Sequence, residues 1–556
     1  MNFHPAQKIN KWWTRLKKVV RIRIPRRGGT NPNAAADSGS GGSRVGGLRR
    51  KAAGIWAGAV RMVAPWPLWR KGAAAGGLIL GVGILVWAAL PDSEEKIEQA
   101  VVSILVTSQG GDWYSPWKQG GTVRASGSGF VISGGLVMTN AHVVSDAKQI
   151  IVHRNGNSNP YFAKVAFIGH DTDLAILKVE DESFAREITP LDIGGLPTLL
   201  TRVRTYGYPA GGEKISRTEG VISRIEFNAY VHSGSDAHLS IQTDSAINPG
   251  NSGGPVLQGT KVVGVAFQAN SRLNDVGFFI PTPVIKRFLK DIQDGRYDGY
   301  GEMGIVTSSN INPAYREFLG LPKDETGVVV DRVMPGTSGY GVVHPDDVIL
   351  AIDGVKVEND GTFNYHGHSV GFEQVAEEKQ IGEMLSLAVW RNKAMLDVPL
   401  KLATYPDGDR MANQFDVLPR YYIYAGLVFM ELDKEFLKNF GNFWENAGKS
   451  LLYDHFFKRM EHPEDKQQKT VLITRVLPHE VNSPYMNRAN AIVDTINGKT
   501  IEQLEDVPEA LKLNKKEFHV LKLGANGDML VLARTVADKA NGAILESYGI
   551  RSDRRF

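Results

Sequence analysis

The chain has 556 residues, no cysteine, 42% hydrophobic and 22% charged residues, and a formal net charge of +4. At roughly 150 residues per domain this length corresponds to three or four domains, and the composition is globular rather than fibrous or wholly disordered. The lack of cysteine excludes disulfides, thiolate-ligated zinc, iron–sulfur clusters and a thiol nucleophile.

The charge is unevenly spread. Residues 1–71 hold sixteen Lys/Arg and one acid, Asp37, a local +15, so the remainder carries −11. A uniformly basic nucleic-acid binder is thereby excluded. Within this segment residues 7–24 mix bulky apolar and basic side chains, which reads as a helix lying on anionic lipid or as a solvated basic tail. Residues 28–47 are Gly/Ser-rich and read as a flexible linker. Gly72–Leu90 is a run of nineteen uncharged residues. As a helix it spans about 28 Å, close to the hydrocarbon thickness of a bilayer. Trp66, Trp69 and Trp87 lie near its ends, Arg70 and Lys71 precede it, and Asp92, Glu94 and Glu95 follow. This predicts a single transmembrane helix with residues 1–71 cytoplasmic. The rest then lies beyond an inner (cytoplasmic) membrane, in a periplasm. The Arg-rich, acid-poor start is also compatible with a transit peptide and an organellar membrane.

From Lys96 to Lys290 short Val/Ile-rich runs alternate with Gly, Asn and Asp: Gly129–Ile132, Gln149–His153, Ala175–Val179, Arg202–Tyr206, Leu239–Thr243 and Lys261–Phe267. Regular short strands of this kind predict an all-β barrel or sandwich. Three constellations stand inside it. Ser126-Gly-Ser-Gly-Phe-Val-Ile132 is followed by Met138-Thr-Asn-Ala-His142-Val-Val144. Asp171-Thr-Asp173 precedes the apolar run Leu174–Leu177. Asn248-Pro-Gly250-Asn251-Ser252-Gly-Gly-Pro255 sets a serine in a turn dense in glycine. A serine hydroxyl is a poor nucleophile unless an imidazole takes its proton, and a buried carboxylate must hold that imidazole in the right tautomer. Glycines beside the serine let backbone N–H groups converge on an oxyanion. Gly250 and Ser252 are the natural donors, with Asn251 between them. Singly, each motif reads better as a core histidine, a turn aspartate or a plain β-turn. Together, in the order His, Asp, Ser, they point to serine hydrolase chemistry.

The segments TNAHVV, DLAILKV and NPGNSGGP resemble those of the Deg/HtrA family of serine proteases. The resemblance implies a mainly β fold led by a chymotrypsin-like double β-barrel over residues 96–290. It implies His142 as general base, Asp173 as orienting acid, Ser252 as nucleophile, and Gly250, Asn251 and Ser252 around the oxyanion. The family also places its substrate pocket in the loop after the nucleophile strand, here Phe267, Gln268, Ala269 and Asn270. Asp171 is left as a turn residue.

The second half contains a duplication. Gly327–Pro335 with Asp347–Gly354 matches Val471–Pro478 with Ala491–Gly498, so that Arg332 aligns with Arg475 at an offset of 143. Each copy reads strand, Pro turn, short helix, strand, Asp-Gly or Asn-Gly hairpin, strand. Both copies resemble PDZ domains, which implies two α+β modules at 300–405 and 418–535, followed by a tail at 536–556. PDZ domains add a peptide as a strand and hold its carboxylate in a backbone nest. Candidate nests are Glu302-Met303-Gly304-Ile305 and Tyr424–Phe429. In the first copy His344-Pro-Asp-Asp347 replaces the usual Gly-Asp, and the second copy carries an insertion at about 431–469, so that it reads at least as well as a structural or assembly module as a peptide binder. YYIYAGLVF, RVLPHEVNSPY and AILESYGIRSD are similar to the plant Deg branch with two PDZ domains.

The expected protein is therefore a membrane-anchored, ATP-independent serine endopeptidase acting on misfolded or exposed polypeptides. It needs neither metal nor cofactor, and it has no nucleic-acid partner. Peptide C-termini are expected at its PDZ modules, and the family implies a homotrimer or a multiple of one. Asp112–Trp117 (DWYSPW) reads as interface or core. The alternative reading is an inert PDZ scaffold or chaperone on a protease fold, which the intact His, Asp and Ser set argues against.

Overall fold

In the computed structural model the structure describes residues 93–556 except 210–211, 213, 270–276, 406–410, 463–468 and 525–526. The basic segment, the expected transmembrane helix at 72–90 and Asn270 lie outside the described residues. Among the described residues no helix is long and apolar enough to cross a membrane.

Helix α1 (Ser93–Ala100) leads into β1 (Val101–Ser108), β2 (Val123–Val131), β3 (Val137–Thr139), the single turn α2 (Ala141–Val144), β4 (Ala147–Arg154), β5 (Tyr161–Gly169) and β6 (Leu174–Val179). These strands close into a barrel in the order β1-β2-β3-β6-β5-β4. The run LAILKV of β6 is buried at every position except Lys178, as expected for a strand covered on both faces. Each buried Leu, Ile or Val there contributes about 1.5–3 kcal/mol. The second barrel comprises β7 (Asp192–Ile193), β8 (Arg202–Gly207), β9 (Ser216–Ala229), β10 (Ala237–Thr243), β11 (Pro255–Gln258), β12 (Lys261–Ala269) and β13 (Gly277–Pro281). Its order is β11-β8-β9-β10-β13-β12-β7, and a further β11–β12 pairing closes it. The double barrel implied by the resemblance is thus observed. Helix α3 (Thr282–Asp291), with Pro283 in its first turn, ends this part.

The first C-terminal module contains β14 (Ile305–Ser308), α4 (Pro313–Phe318), β15 (Val328–Val333), β16 (Val348–Ile352), β17 (Val355–Lys356), β18 (Thr362–Tyr365), β19 (His368–Gly371), α5 (Glu373–Glu377), β20 (Met384–Arg391) and β21 (Ala394–Lys401). Its sheet runs β14-β15-β16-β20-β21, with β14 at the edge. The short helix expected after Pro335 is absent. Gly336 and Gly341 take left-handed φ values of 82° and 77° there, so turns connect β15 to β16. Asp346 supplies, at φ 68°, the left-handed position that glycine usually takes. The neighbouring Asp347 carboxylate accepts from His344 N (2.8 Å) and from both Nε and Nη2 of Arg391 (2.6 Å each).

This module is packed onto the barrels. Phe363, Tyr365 and Val370 of the β18–β19 hairpin belong to the same apolar core as the strands of both barrels. His238 on β10 meets Glu377 on α5 at 2.6 Å. Burial opposes a charge on His238, but Glu377 wins and pushes its pKa up to about 9.

The second module contains β22 (Tyr421–Tyr424), β23 (Leu427–Glu431), α6 (Lys434–Leu437), α7 (Phe443–Asn446), α8 (Lys449–Phe456), α9 (Lys458–Glu461), β24 (Val471–Val476), β25 (Ala491–Ile496), β26 (Lys499–Thr500), α10 (Asp506–Leu513), β27 (Phe518–Leu523), β28 (Asp528–Ala533), α11 (Arg534–Ser547) and β29 (Arg554–Arg555). Its sheet runs β28-β27-β25-β24-β23-β22-β29. Short helices α6–α9 fill the described part of the expected insertion. In this copy the short helix after the Pro turn is present, as a 3₁₀ segment at Glu480–Tyr485.

Candidate active site

The site is built where the two barrels meet. β3 ends at Thr139, and α2 then carries His142, whose side chain remains 33% exposed. Asp173 sits immediately before β6 with its side chain 2% exposed and a left-handed φ of 52°. Its carboxylate accepts from the His142 backbone N–H at Oδ1 (2.8 Å) and meets His142 Nδ1 at Oδ2 (2.7 Å). Asn140 Nδ2 donates to the Asp173 carbonyl (2.8 Å), tying the two segments a second time. Burial tends to lower the pKa of His142, but the Asp173 charge and hydrogen bond overcome it and raise it above the ordinary value.

Ser252 lies in the turn between β10 and β11. Gly253 there has φ 84°, and a Cβ on it would overlap Ser128 O and Thr139 Oγ1. That close approach explains the glycine. Ser128 pins the turn from the first barrel: its Oγ donates to Gly250 O (2.6 Å) and its N–H to Ser252 O (2.8 Å). Asn251 N–H is used within the turn by Asn248 O (2.9 Å). The N–H groups of Gly250 and Ser252 have no acceptor among the described residues. The Ser252 hydroxyl donates to Phe267 O at 3.4 Å.

Of the expected pocket residues, Phe267 is buried, with its ring 4.7 Å from that of Tyr230. β12 continues through Gln268 and Ala269. Asp171 lies in the turn before β6, as expected, and its Oδ1 accepts from Thr172 N–H (2.8 Å). It accepts from Tyr297 OH (2.7 Å), and burial raises its pKa.

A second layer had no local sequence signal. His232, on the loop between β9 and β10, lies with its ring centroid 6.2 Å from that of His142. Its Nε2 is 2.9 Å from His170 Nδ1, and His170 Nε2 is 3.1 Å from Asp416 Oδ2. Phe415 stacks on His232 at 4.1 Å. Burial pushes the pKa of His232 down to about 4, so it is neutral near pH 7. Asp416 and Asp146, four residues after His142, exchange reciprocal backbone-to-carboxylate hydrogen bonds of 2.7 and 2.9 Å. Among the described residues no group of three or more His, Asp or Glu is placed to hold a metal ion.

Away from this centre, the segment 302–305 leads into edge strand β14. Glu302 O, Met303 O and Gly304 O accept from Ser338, Gly339 and Met334 N–H groups at 3.0, 3.0 and 2.8 Å. The N–H groups of Met303 and Gly304 have no acceptor among the described residues. Glu302 N–H is bonded to Ala403 O (2.9 Å).

The chain is similar to known proteins along most of its described length. A trypsin-like peptidase domain model matches residues 127–265, and PDZ domain models match residues 291–361 and 411–555. Protease Do-like 4, mitochondrial, of Arabidopsis thaliana is 34% identical over 443 residues, covering 79% of this chain and 82% of that protein. Protease Do-like 2, chloroplastic, of the same plant is 35% identical over 468 residues, covering 82% and 74%. Among solved structures, the HtrA-type protease AlgW with a tripeptide is 26% identical, with a TM-score of 0.43, over 57% of this chain and 99% of that one.

Proposed function

Since the chain belongs to the Deg/HtrA (Do-like) family of serine proteases and is a serine endopeptidase with two PDZ domains, we propose that Ser252, His142 and Asp173 carry its hydrolytic step. Ser252 Oγ turns from Phe267 O toward His142 Nε2, loses its proton to that nitrogen and attacks the scissile carbonyl carbon. The resulting oxyanion is held by the N–H groups of Gly250 and Ser252, an interaction whose loss typically costs about 10²–10³ in rate per donor. Asp173 keeps the Nδ1 proton facing itself and stabilises the imidazolium, which returns the proton to the leaving amine. Water then cleaves the acyl-enzyme by the same route.

The observation that carries this reading is the double grip of the Asp173 carboxylate on His142, through backbone and ring, beside a serine turn with two uncommitted N–H groups. Its test is digestion of unfolded casein by the full chain and by Ser252→Ala. The variant is expected to be folded and inactive. Equal digestion by both refutes the assignment.

Under the same reading the first PDZ domain adds a substrate or regulatory peptide to edge strand β14, with the peptide carboxylate against Met303 and Gly304. Residues 72–90 anchor the chain in a membrane, and the catalytic part lies on the side away from the basic tail. The charge asymmetry across 1–98 supports that topology. The organelle names of the plant relatives keep an organellar membrane as its alternative. Assembly as a trimer or a multiple rests on the family resemblance. Alkaline carbonate extraction tests the anchor: release of the full chain into the supernatant contradicts it.

A further inference from the structure

The two PDZ copies can be superposed by register alone. In the first, β14 pairs with β15 so that Val306 faces Arg332, with a bulge after Val306. In the second, β23 pairs with β24 so that Val428 faces Arg475, with a bulge after Val428. Arg332 and Arg475 are the aligned arginines of the duplication, and Gly304 O and Gly426 O accept equivalent N–H groups from Met334 (2.8 Å) and Leu477 (2.7 Å). Strand β23 is therefore the counterpart of the peptide-receiving edge β14.

Among the described residues the outer side of β14 carries no strand, whereas that of β23 does. β22 pairs along it: Tyr422 with Phe429, Ile423 with Val428, Tyr424 with Leu427. The expected carboxylate nest is instead a two-residue hairpin turn, Ala425 (φ 50°) and Gly426 (φ 81°). Both backbone polar groups of Ala425 are engaged: its N–H donates to Asn541 Oδ1 (2.9 Å), and its carbonyl accepts from Asn482 Nδ2 (2.8 Å).

Strand β22 is covered in turn by the tail. Tyr421 and Tyr422 pair with Arg555 and Arg554, and Ile423 N–H donates to Asp553 O (2.7 Å). The Arg554 guanidinium lies 4.9 Å from the Tyr422 ring centre. Arg555 reaches past the module: its Nη1 donates to Pro116 O (2.8 Å) and to Pro419 O (3.2 Å). Pro116 belongs to the loop between β1 and β2 of the first barrel. In that loop Trp113 and Trp117 pack against the apolar cluster that includes Tyr421, Ile423, Ile544 and Ile550. Arg475 adds a hydrogen bond to Ser115 Oγ (3.1 Å) and lies 4.5 Å from the Tyr114 ring centre. At its start this loop is tied to the catalytic segment, because Gln109 N–H donates to Asp146 O (2.9 Å).

We propose that the second PDZ domain is not a peptide receptor but an internal clasp: β22 permanently fills its receiving edge, and the tail segment 553–556, laid on β22, locks the barrel loop 109–122 to it. Free peptide then has one receiving edge per chain, on the first PDZ domain. This inference does not depend on the assignment of the catalytic residues.

Amide hydrogen exchange on the full chain tests it. Leu427–Phe429 are expected to be protected like the interior strands of their sheet, while Ile305–Ser308 exchange as an open edge. Deleting residues 552–556 is expected to speed exchange across Trp113–Lys118 by roughly tenfold or more, with β23 still protected. Arg555→Ala, which keeps the β29 backbone, is expected to produce the same change in smaller degree and serves if the deletion fails to fold. Exchange of β23 as fast as that of β14 overturns the closed edge. Unchanged exchange in the loop of the variants overturns the clasp.

Discussion

Asp173→Asn changes one atom and removes one charge, yet the geometry predicts a large loss. The native carboxylate faces two donors at once, the His142 backbone N–H at 2.8 Å and the ring Nδ1–H at 2.7 Å. An amide offers one oxygen and one NH₂, so one of those donors must meet another donor. If the backbone keeps the oxygen, the ring turns to the tautomer protonated at Nε2, and no base faces Ser252. Such a tautomer error costs about 10⁴ in kcat, or about 5.5 kcal/mol of transition-state stabilisation. A second consequence has a definite sign. Burial favours neutral His142, and the Asp173 charge is what raises its pKa. Without that charge the acid limb of kcat/KM moves to lower pH even as the plateau collapses. The assay is hydrolysis of a fluorogenic peptide from pH 5 to 9, with circular dichroism to verify folding. A variant within tenfold of the parent kcat, or one whose acid limb stays in place, refutes the reasoning.

Other perturbations have equally definite outcomes. Gly253→Ala pushes a Cβ into Ser128 O and Thr139 Oγ1 at a left-handed φ; it is expected to lower stability by about 2–4 kcal/mol and kcat by about 10²-fold through displaced oxyanion donors, seen in paired melting and kinetic measurements. Arg391→Ala leaves the buried Asp347 carboxylate without its bidentate partner, and a loss of about 3–5 kcal/mol is expected, read as early unfolding of the first PDZ domain by exchange. His238, held up to about 9 by Glu377, contributes stability that is complete below its unfolded value near 6.5 and is lost as pH rises through about 9. The amount is at most about 3 kcal/mol. Melting between pH 6.5 and 10 should show that decline in the parent and a flattened curve in Glu377→Gln.

The sequence is legible where structure is locally encoded. The β6 run LAILKV needs burial on both faces, and the crowded turn at 250–255 needs glycine, so strands and motif positions could be read directly. The duplication was readable because Arg332 and Arg475 hold the same register in two sheets. The missing helix after Pro335 follows from Gly336 and Gly341, whose backbone freedom outweighs the pattern of the copy. What escaped was long-range. Asp416 reaches Asp146 across 270 residues, and His232 reaches His170 across 62. No periodicity marks those partners. DWYSPW carries the aromatic content of a contact surface, but its partner on the second PDZ domain is set by tertiary packing. Strand β29 spans two residues and has no sequence pattern at all.

The proposed nucleophile at the peptide bond is the hydroxyl of Ser252, activated through His142. Intact-protein mass spectrometry after treatment with a fluorophosphonate tests it most directly. One covalent adduct is predicted, mapped by peptide sequencing to Ser252, with casein digestion lost in proportion to labelling and no adduct on Ser252→Ala. An adduct elsewhere accompanied by loss of activity, or full activity in a chain completely labelled at Ser252, contradicts the account.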